Sequence, residues 1–223
     1  GGFVVNLELL ALPVLLPLAA AVLIFILPRR VPWIREVLTL LAASGAFAAA
    51  LRIFLIRPEP LRMPLISLSG FSLALELAAA PLASFILVFA TGYGVLLSLY
   101  SFSYFAAKPR GKAYYAFFSV ALAGAAGALL AEHMLLFLIS WELVTASLYF
   151  LITTGGPESR AGATKTFAML GAGDGCLLLG LGLLWRMRGS FSLSGAALPV
   201  QGFVPAAAFL LLLVAAAAKA GSM

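Results

Sequence analysis

Apolar stretches of about twenty residues follow one another along the sequence, most of them closed by proline, glycine or a knot of basic residues. That length matches the hydrocarbon thickness of a bilayer, where no water satisfies backbone N–H and C=O groups and an internally hydrogen-bonded helix is the natural solution. Seven such stretches run roughly over 7–27, 36–56, 80–101, 113–131, 134–153, 162–185 and 203–223. Five of the six breaks between them are well marked, at Pro28-Arg29-Arg30, Arg57-Pro58-Glu59-Pro60, Lys108-Pro109-Arg110-Gly111-Lys112, Gly155-Gly156-Pro157 and Arg186-Met187-Arg188-Gly189. Only 10% of the 223 residues are charged and 64% are hydrophobic, too little polar surface for a soluble fold of this size. Because the pattern repeats along the chain, the first stretch is not a cleaved signal peptide on its own. The expected class is an all-α integral membrane protein of about seven transmembrane helices.

One connection departs from the helical pattern. Residues 65–77, LISLSGFSLALEL, alternate apolar with small or polar side chains around Ser69-Gly70. This period of two predicts a short β-hairpin on the membrane surface between the second and third helices. The net charge of +6 sits in short clusters between apolar stretches and so reads as topology signal, with no nucleic-acid partner. Placing the N-terminus outside puts Arg29, Arg30, Arg35, Lys108, Arg110, Lys112 and Arg160 inside, against Arg57, Arg62, Arg186 and Arg188 outside. That balance favours an outside N-terminus, in the inner membrane of a prokaryote. A single cysteine, Cys176, excludes an internal disulfide and a cysteine-ligated iron–sulfur cluster. The sequence begins Gly-Gly and stops within an apolar stretch, so both ends read as the ends of a fragment.

Glu142, Lys165, Asp174 and Lys219 lie inside spans. A charge at mid-membrane costs several kcal/mol, so such residues face the bundle interior or a watery path and mark ion routes by default. The competing reading is an acid–base pair that only fixes packing. Glu142 lies about nine residues, or roughly 13 Å, into its span. Lys219 lies deep in the last stretch, so the two are expected to meet near the midplane. Burial disfavours the charged form of each and the opposite charge favours it, so a nearby proton or charge can tip such a pair. Lys165 is near the inner end of its span, within reach of inner water through its long side chain.

Asp174 sits in Gly171-Ala172-Gly173-Asp174-Gly175, which follows no strand and is therefore not a nucleotide loop. Gly171 and Gly175 share a helix face and are expected to serve close helix packing. Asp174 fits a relay or a packing role equally. His133, beside Glu132, reads as interfacial ahead of proton-carrying, and Trp33, Trp141 and Trp185 as membrane aromatics. No metal-ligand or nucleophile–base pattern is visible.

LLAEHMLLFLISWELVTASLYFLI, residues 129–152, resembles the fifth span of the antiporter-like subunits of respiratory complex I, membrane-bound hydrogenases and multi-subunit cation/proton antiporters. AGATKTFAMLGAGDGCLLLGLGLL (161–184) resembles the next span, and AAAAKAGSM (215–223) the opening of the broken seventh helix. YSFSYFAAKPRGKAYYAFF (100–118) resembles the tyrosine-rich junction between the third and fourth spans. The ordered set Trp-Glu, Lys, Gly-Asp, Lys carries the likeness.

The resemblance implies that Glu142 is the channel glutamate, Lys165 the lysine exchanging with the inner side, and Lys219 the central carrier paired with Glu142. It further implies that residues 80–223 begin a proton-channel repeat truncated in its seventh span, after residues 1–79 supply two spans and the hairpin. Other membrane subunits are the expected partners, with a second polypeptide supplying further spans if the gene is split. The expected function is a proton-translocating, non-redox membrane subunit of a redox-driven pump. The chain itself then needs no cofactor; iron–sulfur clusters, flavin or nickel–iron belong to partner subunits. Two other readings share the same residues: a subunit of a Na⁺/H⁺ antiporter without redox partner, and a structural membrane spacer.

Overall fold

The computed structural model describes residues 2–28, 32–68, 71–105, 111–194 and 201–221. In this region the chain forms seven α-helices and one hairpin. The helices are α1 (Gly2–Ile26), α2 (Pro32–Ile56), α3 (Pro81–Phe105), α4 (Gly111–Leu130), α5 (Met134–Thr153), α6 (Arg160–Arg188) and α7 (Phe203–Lys219). Strands β1 (Leu61–Leu68) and β2 (Phe71–Leu77) pair antiparallel between α2 and α3. Six of the helices are long and apolar enough to cross a bilayer; α7 has 17 residues and falls short. The chain is an integral membrane protein, and its outward faces are apolar, as at Phe89, Leu96 and Leu178.

The seventh helix corrects the sequence reading in one respect. The expected span over 203–223 ends as a helix at Lys219, with Ala220 as C-cap and Gly221 at φ 75°. A glycine just past the last helical residue takes the left-handed conformation that lets the chain turn away. Lys219 therefore lies at a helix C-terminus, where the partial negative charge of free carbonyls favours a cation.

Small residues set how the helices meet. An added Cβ at Gly127 of α4 would lie 2.6 Å from Ser140 Oγ of α5, and one at Gly173 of α6 2.7 Å from Ala218 Cβ of α7. Backbones that close gain dispersion contacts that lipid would not supply. The expected packing pair, Gly171 and Gly175, is displaced from this role: neither has an atom within 4 Å of where its Cβ would stand. The buried face of α6 carries Ala163, Leu170, Gly173, Leu177, Gly180 and Leu181 instead. Glycine spacing alone does not say which face the partner helix takes.

The hairpin forms as expected but starts earlier, at Leu61; Ser69 and Gly70 lie outside the described residues. Its register shifts between Pro64 and Ile66, which leaves Leu65 unpaired next to the proline that has no N–H to donate. Backbone bonds tie it to the bundle: Ala78 N donates to Leu130 O and Glu132 N to Glu76 O. Leu193 N donates to Glu132 O and Met134 N to Phe191 O, so one belt fixes the start of α5 and the segment after α6. At the opposite end, Lys112 Nζ donates to Phe25 O (3.0 Å) and Leu27 O (2.7 Å), capping the last carbonyls of α1.

Candidate intramembrane charge site

Three helices converge at mid-depth. Trp141 and Thr145 stand one turn apart on α5, Asp174 is at the centre of α6, and Lys219 closes α7. The backbone contact between Gly173 and Ala218 explains the meeting, because the next residues in sequence are Asp174 and Lys219. Lys219 Nζ lies 4.0 Å from Asp174 Oδ1, with side chains only 15% and 11% exposed. The ammonium also donates to Trp141 O (3.1 Å) and to Thr145 Oγ1, and stands 4.4 Å from the Trp141 ring centroid. The indole Nε1–H in turn donates to Asp174 Oδ1 at 2.6 Å. A buried cation is thus surrounded by a carboxylate, a hydroxyl, a carbonyl and an aromatic face, which together replace much of its hydration.

The residues expected from sequence divide accordingly. Lys219 and Asp174 are brought together. Glu142 is the ninth residue of α5, at the expected depth, but is exposed on the helix and is not within 4.0 Å of Lys219. The expected Glu142–Lys219 pair is therefore replaced by an Asp174–Lys219 pair, with Glu142 near enough to feel both charges. The reason is angular: Trp141 and Thr145 point one face of α5 at α7, and Glu142 lies about 100° round from Trp141. Lys165 is exposed near the start of α6. It precedes Asp174 by nine residues, about 13.5 Å and two and a half turns, which puts it on the opposite face of α6. His133 stands at the far end, buried, as N-cap of α5: its Nδ1 accepts from Leu135 N, and its ring stacks on Phe191 at 5.6 Å.

Sequence reasoning passes over Trp141 and Thr145, treating the first as an ordinary membrane aromatic. The usable signal is their spacing of four, which places an indole N–H and a hydroxyl on one face beside an intramembrane acid.

The fold and this site define a class: a multi-span membrane chain with a charge pair enclosed between two of its helices, α6 and α7. Residues 131–223 match the family model described as NADH:quinone oxidoreductase/Mrp antiporter, TM, so that segment is similar to the antiporter-like membrane subunits. It is 25% identical over 211 residues to an Na(+)/H(+) antiporter subunit of Bacillus subtilis (strain 168), covering 91% of this chain and 42% of that protein. It is 29% identical over 209 residues to an NADH-quinone oxidoreductase subunit of Desulforudis audaxviator (strain MP104C), covering 90% and 41%. The fold matches a chain of the Mrp complex from Dietzia sp. DQ12-45-1b at a TM-score of 0.79, with 24% identity over 94% of this chain and 23% of that one. The chain spans less than half the length of these relatives.

Proposed function

We propose that this chain forms part of an ion path in an antiporter-like subunit, with Lys219 as the group that takes up and releases a proton. The observation that carries the reading is the enclosed Lys219–Asp174 pair at mid-depth, since an intramembrane cation is too costly to retain as mere filling. Asp174 holds the ammonium, Trp141 and Thr145 orient both partners, and Glu142 is a second carboxylate whose protonation shifts the balance between them. Lys165, at the end where α6 begins, exchanges with the aqueous side there. The chain's own residues supply a proton route; the driving energy comes from conformational or electrostatic change in neighbouring membrane subunits, in the leading reading of a redox enzyme. The similarity to an Na(+)/H(+) antiporter subunit supports the second reading, ion exchange without a redox partner.

Reconstitution of the assembled complex in proteoliposomes tests the proposal. Lys219→Met abolishes proton movement if the proposal holds, while pumping at the wild-type rate overturns it. Proton movement that starts on addition of a reductant supports the redox-driven form. Movement that follows only an imposed Na⁺ gradient supports the exchanger.

A further inference from the structure

A second set of polar groups is buried at the end of the bundle opposite His133, where α1 closes and α2 opens. Arg35 and Glu36, in the first turns of α2, are only 9% and 7% exposed, although the sequence alone places Arg35 in a loop. Arg35 Nε and Glu36 Oε1 are buried without a hydrogen-bond partner among the described residues. Tyr115 of α4, fully buried, lies close enough for both charges to act on its hydroxyl. That hydroxyl donates to Ser101 O of α3 at 2.9 Å, and Tyr114 OH pairs with Ser101 Oγ at 2.7 Å. Leu38, Ile24 and Ala116 close the surroundings with apolar contacts.

A donor and an acceptor left bare at such burial each lose the bond that water gave them, a cost that is greatest for charged groups. The chemistry of the pair decides what satisfies them. Arginine and glutamate cancel in charge, so neither a metal cation nor an anion gains net attraction. Water fits both, since it donates to Oε1 and accepts from Nε–H, and buried waters have two to four such partners. We propose that Arg35, Glu36 and Tyr115 enclose an ordered-water site, a hydrated position at the end of the bundle and separate from the Lys219 pair.

Hydroxyl-radical footprinting by synchrotron radiolysis on the assembled complex tests it, because radicals formed from bound water mark neighbouring side chains that bulk solvent cannot reach. With each rate divided by the intrinsic reactivity of its residue type towards the radical, Tyr115 is labelled well above Leu130, a fully buried residue of the apolar core. Labelling of Tyr115 no stronger than that of Leu130 overturns the proposal. Glu36→Gln keeps an acceptor and retains the label, whereas the double variant Arg35→Leu, Glu36→Leu loses it. Persistence of the label in the double variant also overturns the assignment, since the water then rests on other groups. The wild-type measurement is decisive even where the double variant fails to assemble.

Discussion

Gly173→Ala is the smallest change that separates the ion pair from the helix packing that creates it. A Cβ at residue 173 would stand 2.7 Å from Ala218 Cβ, whereas carbon atoms rest at about 3.5–4.0 Å. The obstruction is a methyl group fixed to the α7 backbone, so no flexible side chain can swing away, and α7 must retreat by about 1 Å. Lys219, the residue after Ala218, moves with it. At an effective dielectric of about 20, unit charges at 4.0 Å attract by about 4 kcal/mol and at about 5 Å by about 3.3 kcal/mol. The loss of about 0.8 kcal/mol corresponds to roughly fourfold in the equilibrium between the charged pair and a state with one partner neutralised. Ion movement by the reconstituted complex is expected to change by a similar factor, roughly two- to fourfold, while Gly173→Leu abolishes it. Gly171→Ala, whose Cβ meets nothing within 4 Å, serves as the control and keeps the wild-type rate. Equal rates for Gly173→Ala and Gly171→Ala would refute the reasoning that backbone approach sets the pair.

Trp141→Phe keeps the aromatic face over Lys219 but removes the N–H to Asp174; a hydrogen bond to a charged group contributes about 1.5–3 kcal/mol, so transport falls while Trp141→Ala falls further. Lys112→Met strips the cap from α1, and thermal unfolding in detergent should show a loss of about 1–2 kcal/mol with no change of ion specificity. His133→Ala removes the α5 N-cap and costs about 0.5–2 kcal/mol of stability, whereas His133→Asn restores most of it. Loss of transport in both variants with stability unchanged would contradict this capping role.

Much of the fold is legible in the sequence because the bilayer restricts the choices: apolar length marks the helices, and a period of two marks the hairpin. The end of α7 at Lys219 is less legible, although Gly221 two residues on, at positive φ, is the residue such an end takes. The charge site is half legible. Cost arguments single out every intramembrane charge, and so find Asp174 and Lys219, but they do not rank Glu142 against Asp174. That ranking depends on rotation about the helix axis. A turn of about 100° on α5 decides whether Trp141 or Glu142 meets α7, and an apolar helix carries little amphipathic signal to fix it. The same gap explains why Gly171 and Gly175 look like packing residues in the sequence while Gly173 and Gly180 do the packing. Arg35 and Glu36 escape notice because charges near a span's end read as topology signal, and only the burial of Nε and Oε1 distinguishes them.

Lys219 and Asp174 acting as one unit is the central claim, and a double-mutant cycle tests it directly, with Asp174→Asn, Lys219→Met and the combined variant compared for ion movement in the reconstituted complex. Each single change should stop ion movement, and each should lower thermal stability because it leaves a buried charge alone. The combined variant should recover stability over both singles, with a coupling of about 1–3 kcal/mol, yet still carry no ions. Additive losses of stability, or wild-type ion movement in Lys219→Met, would contradict that coupling.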